Sequence, residues 1–324
     1  MKNRFHPPGQ PSLRGPDAIR AMRGAMHAMR AKRVTPHHAT RITLRESLAR
    51  LATLAAATLS FALIAALLAA PIPAQATNPL AQPATPSQPL SAQQLLAASD
   101  ACRNPGKPFS LVTTLLEFRN GIATATDVLA VYSSVNPADG QFRSLVRFDA
   151  PARDHGKLLL KNGNDLWFYD PASQASVRIS PRQRLLGQAA NGDVVSTNLA
   201  LDYDATLAGD DNITDGEHQL RHCDKLALRA RDPEVTYHAI DLWLDAQSHQ
   251  PIKARFYAAS GNLLKTAYYR HFQLALGTLR PSEIVIIDGL DPAWVTVMRY
   301  SHYASRPLPD EWFQRAYLPH FQPG

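Results

Sequence analysis

Between residues 109 and 303 the chain repeats one pattern: short apolar–polar alternations separated by turn residues. Alternation with period two predicts half-buried β-strands. It is clearest over 142–149, where Phe142, Ser144, Val146 and Phe148 share one face and Arg143, Arg147 and Asp149 the other. Over 236–245, Ile240, Leu242 and Leu244 oppose Tyr237, Asp241, Trp243 and Asp245. Over 252–258, Ile252, Ala254 and Phe256 oppose Lys253, Arg255 and Tyr257. Asn120-Gly121, between strands at 109–119 and 122–133, is a strong hairpin signal because both residues tolerate positive φ. Further strands are predicted at 157–161, 166–169, 174–180, 203–207, 217–229, 263–273, 283–288 and 294–303. Strands at this spacing imply one large antiparallel sheet, curled or closed.

Three stretches depart from the alternation. Leu166-Trp167-Phe168-Tyr169 is apolar on both faces, so both faces must be covered. Trp167 and Tyr169 share one face, Leu166 and Phe168 the other; which pair faces inward stays open at this stage. Second, Ser180 and Pro181 open a predicted short helix over 181–188, and a second is predicted over 193–200. The small-residue loop 189–192 joins them, as a moving lid or as an ordinary crossover. Third, Ser91 and Gln94 form a predicted capping box ahead of a helix whose stripe is Leu95, Leu96, Ala98 and Ala101. The Pro- and aromatic-rich tail 308–321 is predicted to hold one helical turn at 310–314.

Charge changes the picture at the N-terminus. The chain has 324 residues and a formal charge of +7. Residues 1–76 carry 11 basic and two acidic side chains, leaving 23 basic and 25 acidic in 77–324. The excess therefore does not describe a nucleic-acid-binding surface. The basic region, the uncharged run 51–70 and the A-x-A site Ala74-Gln75-Ala76 predict an export signal over 1–76, cleaved after Ala76. A permanent membrane anchor is the competing reading. Residues 77–90, with four prolines, read as a linker, and 91–324 as one folded domain.

Candidate chemistry is sparse. The sequence contains no G-x-S-x-G, H-E-x-x-H, P-loop, G-x-G-x-x-G or C-x-x-C motif. His218 and His222, on a strand, would lie roughly 13 Å apart, too far to share one metal. The expectation is no catalysis, no metal and no cofactor. Cys102 and Cys223 are the two cysteines. Export permits a disulfide between them, and two buried free thiols are the alternative.

The ordered set 142–147 (FRSLVR), 162–171 (NGNDLWFYDP), Arg178-Ile179-Ser180, Trp243-Leu244-Asp245 and Pro251-Ile252-Lys253 resembles the LolA-like family of periplasmic lipoprotein-sorting carriers. The branch it is most similar to is the one associated with MMPL- and RND-type transporters. The resemblance covers about 91–305. It implies a mainly β (α+β) fold: a single curved antiparallel sheet forming an incomplete β-barrel, lidded by short helices over an apolar cavity. It further implies a monomeric periplasmic carrier of acyl-chain cargo, passing lipid or lipoprotein toward the outer membrane beside an inner-membrane transporter. The candidate cavity and lid residues under that fold are Phe148, Trp167, Tyr169, Leu185, Leu186, Leu199, Trp243 and Phe256. In the lipoprotein carrier an arginine before a proline helps hold the closed state. The matching place here is Asn136-Pro137, which leaves other lipids open as cargo. Arg143, Arg147 and Arg178 are candidates for that role or for structural ion pairs. A scaffold subunit of an envelope complex is the competing function, and an esterase a third.

Overall fold

The computed structural model describes residues 89–323. The predicted export signal and almost all of the linker lie outside the described residues. The helix α1 (Ala92–Arg103) starts as its sequence requires: the Gln94 amide donates to Ser91 Oγ at 3.3 Å, and the Ser91 amide donates to Gln94 Oε1 at 2.8 Å. Strands follow: β1 (Phe109–Arg119), β2 (Ile122–Val135), β3 (Phe142–Ala150), β4 (Leu158–Asn162), β5 (Asp165–Asp170) and β6 (Ala175–Arg178). A small hairpin comes next, β7 (Arg184–Leu186) and β8 (Ala189–Ala190), then the one-turn α2 (Leu199–Asp202). The chain returns as β9 (Tyr203–Thr214), β10 (Leu220–Ala230), β11 (Ala239–Asp245), β12 (Pro251–Tyr257), β13 (Leu263–Ala275), β14 (Thr278–Asp288) and β15 (Trp294–Ser305). Two 3-10 turns, Asp310–Phe313 and Arg315–His320, end it.

Thirteen strands form one antiparallel sheet in the order β6-β5-β4-β3-β2-β1-β15-β14-β13-β12-β11-β10-β9. The first and last strands pair at its middle, Phe109 opposite Ser305 through Arg119 opposite Trp294. Asn120 and Gly121 take φ of +50° and +77°, as the hairpin between β1 and β2 demands. The sheet is not closed, because β6 and β9 are both edges. It curls: Phe148 and Leu166 from one end share a core with Leu226 and Leu228 from the other. Leu95 and Leu96 of α1 join that concave-side core. This is the expected incomplete barrel.

The doubly apolar strand is covered twice. Leu166 and Phe168 pack in the concave-side core, with Phe168 edge-on to Phe148 at 6.1 Å. Trp167 and Tyr169 face outward, under the C-terminal segment, beside Trp312, Phe313 and Leu318. β4 repeats the arrangement, Leu159 inward and Leu158 and Leu160 toward the tail. Asn162 fixes the cover by donating to the Phe313 carbonyl at 2.9 Å.

Two expectations are corrected here. The segment 181–188 is a tight hairpin, not a helix. Gly187 turns it at φ +54°, and a Cβ there would lie 2.3 Å from Thr296 Oγ1. The Gln188 amide also donates to that hydroxyl at 2.8 Å, so the turn is seated on the sheet. The predicted helix over 193–200 is a 3-10 turn (Asn191–Asp193), the buried pair Val194-Val195, and then α2. Adjacent β-branched residues gain little from a helix and fill the core here. Of the two alternatives for the cysteines, the structure has the unbonded one: Cys102 and Cys223 are free thiols. Cys223 packs on the outer face with Trp243 and Ile252, whereas α1 lies on the concave side. Burial raises both thiols, Cys223 to about 12.

Candidate functional site

Inward positions of seven central strands leave a cavity of about 130 Å³ beneath residues 193–199. Phe109, Leu111, Val131, Phe256, Ile286 and Met298 line its sheet side, and Val194, Val195 and Leu199 its roof. The roof is tied to α1. Gln93 Nε2 donates to the Ala200 carbonyl at 2.7 Å, Ala200 donates to Asp100 Oδ2 at 2.7 Å, and Asn104 Nδ2 donates to the Thr197 carbonyl at 2.8 Å. Helix and roof therefore form one lid over the concave face.

A charged group sits where only apolar ones are expected. Lys265 of β13 points inward with Ala267 and Tyr269, and its side chain is 5% exposed. Its ammonium pairs with Asp193 of the roof and donates to the Gln188 carbonyl at 3.0 Å. It also lies over the rings of Tyr237 and Phe256, 4.9 and 5.4 Å from their centroids. Asp193 accepts further bonds from the Tyr237 hydroxyl and the Ala190 amide, each at 2.7 Å. Burial pulls the Lys265 pKa below its ordinary value, with Asp193 opposing. Burial, then Asp193, pushes the Tyr237 hydroxyl well above its usual range. This pair is a latch between roof and floor. The sequence signal for it is a lysine in phase with Ala267 and Tyr269, and the strand pattern alone did not single it out.

The open side of the sheet is strapped by the loop 231–236. Arg182 Nε donates to the Val235 carbonyl at 3.2 Å, Asn164 donates to Asp232 at 2.8 Å, and Arg178 lies 3.6 Å from Glu234. Arg178 thus links the edge strand β6 to the loop between β10 and β11. Arg143 instead clamps the tail through Asp310 at 2.7 Å, and Arg147 pairs along its own strand with Asp149 at 2.7 Å.

The sequence-selected residues divide accordingly. Leu199 and Phe256 line the cavity. Phe148, Leu185 and Leu186 pack into or against the same core without lining it. Trp167, Tyr169 and Trp243 are on the outer face, a correction. Alternation decides it: Leu242 and Leu244 point inward, so Trp243 points out. There its ring meets Lys225 and Lys253, each 5.0 Å from the centroid. Among the described residues no group of three His, Cys, Asp or Glu side chains is placed to hold a metal.

Gly187 offers a test of the lid that leaves the charges alone. Gly187→Val would set a branched side chain against Thr296 and Glu117 at a positive φ. The expected cost is roughly 1–3 kcal/mol, concentrated on the seated hairpin. Fluorescence of a dye that lights up in apolar cavities should rise relative to wild type. Unchanged dye fluorescence would mean that the hairpin does not control access.

A family model described only as an uncharacterised protein matches residues 140–320. Comparison with curated protein sequences finds no match. Among solved structures, a LolA superfamily protein from Nitrosomonas europaea is 34% identical, with a TM-score of 0.64, covering 71% of this chain and all of that one. An outer-membrane lipoprotein-sorting protein domain from Vibrio parahaemolyticus is 19% identical with a TM-score of 0.60, covering 70% of this chain and 98% of that one. A DUF1329 family protein from Desulfovibrio piger is 22% identical, also with a TM-score of 0.60, covering 70% and 97%. The last two share the fold. With the open curved sheet, the lidded cavity and the Nitrosomonas relative matched over its full length, this chain belongs to the LolA superfamily.

Proposed function

We propose that the chain is a non-catalytic periplasmic carrier that hides acyl chains of a lipid or lipoprotein in its cavity and releases them toward the outer membrane. One observation carries this reading: an apolar cavity closed by a lid whose hold on the floor is polar. Acyl chains gain about 0.8 kcal/mol for each methylene removed from water. Two long chains bound at that rate without opposition would not leave. The latch and the roof supply the opposition if cargo must displace them to enter.

Size supports the same cycle. The closed cavity is close to the ~150 Å³ that accommodates a benzene-sized guest. A long chain therefore enters only as the roof lifts. The lining also lacks the parts of an esterase: it contains no histidine or cysteine, and Ser196 Oγ bonds to Ser133 Oγ at 2.9 Å instead of to a base. In this reading residues 1–76 direct export and are cleaved off, 77–90 form a linker, and 91–324 carry, as a monomer. The donor the reading calls for is an inner-membrane transporter of the MMPL or RND type.

The test is extraction of lipid from the protein purified from the periplasm, followed by titration with a fluorescent fatty acid. Co-purifying lipid and saturable probe binding are expected. Absence of both would sink the carrier and favour a scaffold subunit.

A further inference from the structure

We infer that the cavity accepts a single-chain amphiphile ending in a carboxylate, and that this carboxylate replaces Asp193 on Lys265 when the lid lifts. The inference rests on the carrier reading and names its cargo. It starts from where the partners of Lys265 come from. Of its polar partners, the Asp193 carboxylate belongs to the lid, and the Gln188 carbonyl, which is neutral, to the hairpin seated on Thr296. The floor offers the ammonium only the ring faces of Tyr237 and Phe256. Lifting the lid therefore strips a buried cation of its counter-ion and leaves it among apolar side chains. A buried charge without its partner is costly. A neutral acyl cargo leaves that cost standing, whereas a cargo carboxylate removes it.

Asp193 also shows the shape of the seat. One oxygen takes the ammonium and the other takes the Tyr237 hydroxyl at 2.7 Å. Tyr237, two residues before β11, is held independently of Asp193 by Tyr203 at the start of β9: its amide donates to Tyr203 Oη at 3.3 Å, and its carbonyl accepts from that hydroxyl at 3.0 Å. Lys265 and Tyr237 thus remain as a two-point clamp for a planar, two-oxygen anion after the lid has gone. Ile286 and Met298 line the same cavity and continue it as an apolar path for the attached chain. The cavity volume of about 130 Å³ argues for single-chain cargo. Of the other charged groups lining the cavity, Arg103 is paired with Asp100, and Asp202 accepts from Gln141 Nε2 at 2.9 Å. Arg184 is tied to Asp288 at 3.5 Å.

The experiment compares dodecanoate, methyl dodecanoate and dodecyl phosphate by displacement of a neutral fluorescent probe from the wild-type protein. Dodecanoate should bind at least about tenfold more tightly than its methyl ester. Asp193→Asn should tighten dodecanoate binding further, because the competing carboxylate is gone. Lys265→Met should bind acid and ester alike. Equal binding of acid and ester to the wild-type protein overturns the inference and leaves the carrier standing. Tighter binding of the phosphate overturns the carboxylate assignment in favour of a phosphate head. Displacement by none of the three overturns both readings. The wild-type comparison decides without any variant having to fold.

Discussion

Lys265→Ala is expected to lower the unfolding free energy by about 3–5 kcal/mol in denaturant titration. The size follows from what is left behind. Asp193 would keep its bonds to Tyr237 and Ala190 but lose its cation in a site with little water. Truncation of one partner of a buried pair strands the other, and the stranded charge dominates the loss. The double variant Lys265→Met/Asp193→Leu removes both charges and should recover most of the stability. If the single variant costs no more than an exposed ion pair, roughly 0–1 kcal/mol, the latch is open in solution.

Phe313→Ala is expected to cost a similar amount, about 3–5 kcal/mol, for a different reason. Phe313 is completely buried, and it packs in one outer-face cluster with Leu145, Leu158 and Leu160, which the C-terminal segment covers. Trp312 stands edge-on to Tyr132 at 5.3 Å and to Phe321 at 4.8 Å, so loosening the turn loosens the whole cap. The cavity lies on the opposite face. Acyl binding should therefore survive at temperatures where the variant remains folded. Trp167→Ala belongs with this cap, because Arg315 lies 3.9 Å over its ring. It should loosen the tail and leave ligand affinity unchanged, the reverse of what its sequence position suggests.

These two sites mark where the sequence is readable and where it is not. Asn120-Gly121, the Ser91–Gln94 box and the alternation of 142–149 each state their structure locally, and each is found as read. The strand 166–169 states that two covers are needed but not which face meets which cover. That depends on a tail more than 140 residues away, and only the register of β4 and β5 decides it. β9 runs to Thr214 although its alternation fades after Leu207. Its outer half is an exposed edge, where no buried face enforces the period. The sequence around Gly187 predicts a helix because Pro181 is a good first helical residue. The deciding contact, Thr296, comes from a distant strand. Lys265 does not stand out in the sequence, because a lysine in an alternating strand is normally a solvated one. Its partner Asp193 lies 72 residues away, outside any local pattern.

The account turns on acyl chains entering the cavity beneath the lid. A diazirine-bearing fatty acid, bound to the protein and activated by light, marks the residues it touches. Labelled peptides should contain Phe256, Ile286, Met298 and the roof residues Val194 and Val195, with labelling suppressed by excess dodecanoate. Labels confined to the outer face, around Trp243, Ile252 or the C-terminal segment, would contradict it.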